Sequence, residues 1–177
     1  MTRCLSCLAV KAGVDEVDVV FPWRKLMAGR EMAGVQIVKQ CREICHPDVK
    51  LKVIIESGEL HKPDLIRRAS EIAIEEGADF VKTSTGKVAV NATLEAAEIM
   101  LDVIKSSQQD VGLKVAGGIK GAHAALKYMA LAEKIMGNHW INAQHFRLGA
   151  SSLLDSLLAA IKGETEPGMS ARDTGDY

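Results

Sequence analysis

Short runs rich in β-branched residues recur about every 30 residues along this chain, the length of one β/α unit, and a helical stretch fills each interval. The strand candidates are Glu16–Phe21, Leu51–Glu56, Asp79–Lys82, Gly112–Ala116 and His145–Gly149. Helices are predicted over Gly34–Cys45, Pro63–Glu76, Ala92–Ser106, Ala122–Met136 and Ser151–Ile161, and a helix-like segment, Thr2–Ala12, leads into the first strand. In the second of these helices Leu65, Ala69, Ile72 and Ile74 supply an apolar face. Arg67, Arg68, Glu71 and Glu75 take the wet side, and Gly77 stands where a C-cap is needed. Parallel strands need a crossover connection, so this alternation implies an α/β fold with a parallel sheet and helices packed outside it. Alternation alone fits an open doubly wound sheet as well as a closed barrel. Five strands are visible, whereas a closed barrel of this type has eight.

With 177 residues, the chain suits one domain over 1–161. Residues 162–177 carry Gly, Pro, Ser, Thr and mixed charges without apolar periodicity, and read as a flexible tail ending in Tyr177. A formal net charge of −1 gives no reason to expect attraction to nucleic acid or anionic lipid. No apolar run approaches the ~18 residues of a membrane span, and the opening residues lack a signal-peptide core, so a cytoplasmic location is the expectation. Cys4 and Cys7 form a C-x-x-C, but Cys41 and Cys45 are spaced C-x-x-x-C within a helix. No metal is therefore expected, and the thiols read as small core residues.

A strand covered on both faces should read as almost wholly apolar. Here Asp18, Lys52, Lys82 and Lys114 interrupt four successive strands. Side chains alternate along a strand, so a shared polar interior accounts for all four, with apolar neighbours facing the helices. Such a set has a chemical use. An amine attacks a carbonyl only when neutral, and desolvation plus a neighbouring cation favours that state. One lysine can be the nucleophile, another can set its ionisation, and the carboxylate can relay protons, which is the logic of Schiff-base catalysis. Charge alone does not say which lysine attacks. Lys82 opens the run Lys82-Thr83-Ser84-Thr85-Gly86-Lys87 at a strand's C-terminal end, where barrel enzymes place their chemistry.

Three turns could hold a phosphate. The Lys82–Lys87 run itself combines Thr, Ser and Gly with a lysine. Ala116-Gly117-Gly118 follows the strand bearing Lys114, and Gly149-Ala150-Ser151-Ser152 runs from the last strand into a helix. Backbone N–H groups freed by glycine, or standing at a helix N-terminus, bind phosphate oxygens.

The runs Val17–Pro22, Leu51–Glu56, Phe80–Lys87 and Gly149–Ser152, in this order and spacing, resemble the deoxyribose-phosphate aldolase family. The resemblance extends from about Gly13 to Ile161, and Lys82–Lys87 is its most specific block. It implies a (β/α)8 barrel that reversibly cleaves 2-deoxy-D-ribose 5-phosphate to acetaldehyde and D-glyceraldehyde 3-phosphate in deoxyribose catabolism, with no cofactor. Lys82 then matches the Schiff-base lysine, Lys114 its cationic neighbour and Asp18 the proton-relay carboxylate, with Lys52 close by. Gly86, Lys87, Gly117, Gly118, Ser151 and Ser152 match phosphate contacts, and Tyr177 resembles a terminal tyrosine that reaches the active site.

Two departures from the family pattern stand out. Val115 follows Lys114 where many relatives carry proline or a small residue, and the resemblance implies three further strands ahead of the helix at Thr2. Without them, sheet edges and helix faces are expected to be exposed, inviting a second copy or a complementary fragment. A non-catalytic partial barrel that binds phosphate compounds is the competing reading, and a barrel enzyme without imine chemistry is a third.

Overall fold

β-Branched runs too short for a helix pair side by side as strands in the computed structural model, which describes residues 5–119, 121–149 and 153–163. In chain order the elements are α1 (Leu5–Lys11), β1 (Glu16–Val20), α2 (Trp23–Met27), α3 (Met32–Ile44), β2 (Lys50–Ile54), α4 (Ser57–Leu60) and α5 (Pro63–Glu75). There follow β3 (Phe80–Lys82), α6 (Leu94–Ser107), β4 (Gly112–Ala116), α7 (Ala122–Met136), a 3-10 turn (Asn138–Trp140), β5 (Phe146–Gly149) and α8 (Leu153–Lys162).

The strands lie in the order β1-β2-β3-β4-β5 and every pairing is parallel. A doubly wound sheet reverses its order at a switch point, and this one does not. Arg147 on β5 also reaches Glu16 on β1 at 2.8 Å, so the outer strands face each other across a strongly curled sheet. Five consecutive units of a barrel result, which settles the choice that alternation left open.

Register sorts the side chains. Val17 lies opposite Leu51, Val53 opposite Val81, Val81 opposite Leu113, and Val115 opposite Leu148; these face the helices. Asp18 lies opposite Lys52, Lys82 opposite Lys114, and Lys114 opposite Arg147, all on the concave face. Lys82 pairs with Ile54 rather than Lys52, a stagger that staircases the charged side chains up the bore. Val115 is fully buried against the helices.

The helices cover the convex face in sequence, α3 against α5, α5 against α6, α6 against α7 and α7 against α8. Pro63 at the first turn sets the phase of α5, which buries Ile66, Ala69, Ser70 and Ala73. That stripe follows i, i+3, i+4, i+7, so Leu65, expected in the core, is only half-buried and Ile66 takes its place. Thr93 caps α6 by accepting a hydrogen bond from Ala96 N at 3.1 Å. Gly77 takes φ +88° just past Glu76, the residue that ends α5, where a side chain would be strained. The short helices α2 and α4 were not anticipated, because a single turn carries no periodicity. Phe21 and Glu56, predicted as strand ends, lie beyond β1 and β2. Glu56 turns the chain out of the sheet with φ 57° and ψ 56°. The predicted tail lies outside the described residues from 164 onward.

Candidate active site

The concave face brings Asp18, Lys52, Lys82 and Lys114 together. Lys82 Nζ donates to Asp18 Oδ2 at 2.7 Å, and Lys52 Nζ lies 2.7 Å from Oδ1 of the same carboxylate. Lys114 Nζ is 3.8 Å from Asp18 Oδ2. Lys52 has a side chain only 5% exposed, and two carboxylates compensate it, Asp18 at 2.7 Å and Glu16 at 2.9 Å. Asp18 keeps 32% of its side chain open because β1 is an outer strand.

The ionisation of these groups follows from packing. Burial pushes the Asp18 carboxyl up, but hydrogen bonds from Lys52 and Lys82, with their charges, outweigh it and hold the group below the usual aspartate value. The hydrogen bond from Lys52 holds Glu16 below the usual glutamate value. Burial opposes this, and Arg147 adds to it. Burial disfavours the Lys114 ammonium, Lys82 and Lys52 add to that effect, and Asp18 resists without cancelling it. The resemblance casts Lys114 as a cation beside Lys82. In the structure burial disfavours Lys114's own ammonium, and its carboxylate partner, 3.8 Å away rather than 2.7 Å, does not cancel that.

The loop after Lys82 is built differently from the sequence reading. Thr83 Oγ1 accepts from Ala116 N at 2.9 Å and lies 3.1 Å from Ala116 O, and Ser84 Oγ is 2.5 Å from the same carbonyl. Both residues are fully buried and tie the β3 loop to the end of β4. The buried Glu56 accepts from Thr85 N at 2.9 Å and supports the loop from below. Gly86 and Lys87 are exposed at its tip, with Gly86 at φ +81°. Gly117 and Gly118 adopt φ +82° and +81° at the carboxyl end of β4. A Cβ on Gly117 would meet Asn91 at 2.7 Å, so the turn admits no side chain there. Gly149 on β5 similarly leaves room for Lys114, whose Cε would lie 3.3 Å from an added Cβ. Ser151, Ser152 and Tyr177 lie outside the described residues.

Sequence reasoning missed Glu16, Arg147, Glu56 and Asn91. Glu16 had a usable signal, since it stands two residues before Asp18 and shares its face. Arg147 interrupts β5 as Lys114 interrupts β4. Nothing local marked Glu56 or Asn91, whose roles come from loops on different units. Among the described residues no group of three or more His, Cys, Asp and Glu is placed to hold a metal. Cys41 and Cys45 are buried, Cys7 is half-buried and Cys4 lies outside the described residues. None of the described helices is long and apolar enough to cross a membrane.

A family model for DeoC/LacD family aldolases matches residues 6–159. Among solved structures, the apo form of a candidate deoxyribose-phosphate aldolase from Toxoplasma gondii ME49 is 27% identical with a TM-score of 0.82, over 90% of this chain and 64% of that one. Another, from Coccidioides immitis, is 29% identical with a TM-score of 0.72, over 89% of this chain and 54% of that one. The tetrameric deoxyribose phosphate aldolase of Aeropyrum pernix shares the fold, at 24% identity and a TM-score of 0.64, over 88% of this chain and 59% of that one. This chain thus spans between 54% and 64% of the length of these proteins.

Proposed function

The chain belongs to the DeoC/LacD family of aldolases, and from that membership we propose that it cleaves 2-deoxy-D-ribose 5-phosphate reversibly to acetaldehyde and D-glyceraldehyde 3-phosphate through a Schiff base on Lys82. The observation that carries the reading is the approach of two amines, Lys82 and Lys114, to one carboxylate oxygen, with Lys82 at the carboxyl end of its strand. That is the end where barrel enzymes do their chemistry.

Lys82 must shed a proton before it attacks. Lys114, whose ammonium burial disfavours, is the group suited to take it, with Asp18 Oδ2 as the point both amines approach. The neutral Lys82 amine adds to the C1 aldehyde, and the carbinolamine loses water to give an iminium. The C2–C3 bond then breaks. Its electron pair moves toward the iminium nitrogen to form an enamine, while the C3 hydroxyl gives up its proton and becomes the aldehyde of glyceraldehyde 3-phosphate. A proton returned to C2 regenerates the iminium, and water releases acetaldehyde and free Lys82. Lys52, paired with two carboxylates, holds Asp18 in place.

The exposed Lys87 ammonium and the left-handed turns at Gly86, Gly117 and Gly118 suit a phosphate at the mouth of the bore, and Ser151 and Ser152 complete that proposal. Tyr177 is assigned to the proton transfers. The substrate is a small sugar phosphate. Assembly with a second copy or a complementary segment through the outer strands is part of the same reading.

The test is borohydride reduction in the presence of acetaldehyde, followed by peptide mapping. A stable adduct on Lys82, absent in Lys82→Ala together with a loss of aldolase activity of at least ~10³-fold, supports the reading. No adduct at saturating aldehyde favours a phosphate-binding barrel without catalysis, and activity retained in Lys82→Ala favours a route without an imine.

A further inference from the structure

Below the reacting amines a second layer of side chains crosses the bore. Arg147 on β5 donates to both oxygens of Glu16 on β1 at 2.8 Å, the outer strands of the sheet on opposite sides of the concave face. Arg147 is itself fixed, since its Nε donates to Ala143 O at 2.8 Å and its guanidinium lies 4.5 Å from the centre of the Phe80 ring. Phe80 can lie there only because Gly112 has no side chain: an added Cβ would be 2.3 Å from the ring. Glu16 in turn holds Lys52 at 2.9 Å, Lys52 holds Asp18 Oδ1 at 2.7 Å, and Asp18 Oδ2 faces Lys82 and Lys114.

We propose that Glu16 and Arg147, meeting across the curled sheet, are positioning residues that orient Lys52 and Asp18 and fix the charge balance beneath the Lys82 amine. The charged groups linked to Lys82 along the concave face come from the other four strands: Asp18, which it touches, and Glu16 from β1, Lys52 from β2, Lys114 from β4 and Arg147 from β5. They comprise two carboxylates against four basic side chains once Lys82 is included. Removing a carboxylate makes each ammonium harder to keep, and removing the guanidinium makes it easier. The pair therefore acts on Lys82 with opposite signs through one chain of contacts. A bond that merely holds β5 to β1 would have no such signature. The proposal rests on the Schiff-base reading for its purpose, but the ionisation it describes does not depend on turnover.

The test is competitive labelling of the intact chain with a trace of acetic anhydride across a pH series, reading acetylation of the Lys82 peptide by mass spectrometry. In Glu16→Gln the midpoint of Lys82 labelling should fall by about half a pH unit or more, and in Arg147→Met it should rise by a similar amount. Arg147→Lys, which keeps the charge, should stay near the parent, and the Glu16→Gln/Arg147→Met double variant should return toward it. Thermal melts by circular dichroism verify folding. Should Glu16→Gln not fold, the comparison of Arg147→Met with Arg147→Lys carries the same sign. Midpoints that do not move, or that move in the same direction in both single variants, overturn the proposal. A parent chain that labels as described but forms no borohydride-trapped adduct sinks the aldolase reading and leaves this one standing.

Discussion

Lys82 and Lys114 approach one oxygen of Asp18 at unequal distances, 2.7 Å and 3.8 Å, and that inequality separates their roles. Lys82 is ion-paired, whereas Lys114 bears the cost of burial. Lys114→Met keeps the length of the side chain and removes the disfavoured charge. It is expected to raise the melting temperature at pH 7 by a degree or more while lowering kcat/KM for the aldol cleavage about 10²-fold or more, both readable on one preparation. Gly112 illustrates the opposite kind of residue, silent in chemistry and essential in shape. Gly112→Ala would drive a methyl into Phe80 and to within 2.7 Å of His145 O, and should cost about 1–3 kcal/mol in a urea melt. Asp18, Lys52, Lys82 and Lys114 were legible in the sequence because charge inside a strand is rare. Gly112 was not, since its partner lies on the neighbouring strand and is brought opposite only by the register.

Among the elements, α5 and α6 were readable because a 3.6-residue period, Pro63 and Thr93 all marked them, and their bounds moved by two residues or fewer. The single turns α2 and α4 were not readable. Elements are joined by a residue with no sequence signature, Arg42 near the end of α3. It donates to the carbonyls of Cys45, His46, Val49 and Gly77 and to the Asp79 carboxylate at 2.7 Å, while Asp79 Oδ2 also accepts Leu51 N at 2.7 Å. One guanidinium thus pins the C-terminus of α3 to the starts of β2 and β3. Arg42→Lys retains the charge but not the fork of donors, and should still lose about 2–3 kcal/mol by chemical denaturation. A loss well under 1 kcal/mol would show that the carbonyls find water equally well.

For the whole molecule, curl is the property on which the site depends, and its ion pairs make stability depend on pH. Glu16 and Asp18 titrate below their ordinary values when folded, so the unfolded chain takes up protons first as pH falls. The stability they contribute is complete above the ordinary carboxylate range and is lost as pH drops below about 4. Melts at pH 7 and pH 3 should therefore differ, and the Glu16→Gln/Asp18→Asn double variant should show a smaller difference. Lys114 works on the other limb: its folded value lies below the ordinary lysine value, so between the two the unfolded chain binds the extra proton and stability rises with pH, a rise that Lys114→Met should remove. By itself the sequence determined that the sheet is parallel, which runs are strands, and that Asp18, Lys52, Lys82 and Lys114 share a face, because periods of two and of 3.6 residues are written locally. Only the tertiary structure decided that the strands wind in one direction, that Glu16 and Arg147 meet across the bore, and that Lys114 rather than Lys52 lacks a close carboxylate. Those facts depend on sheet curl and stagger, which arise from contacts between residues as far apart as 16 and 147 and leave no mark on either neighbourhood.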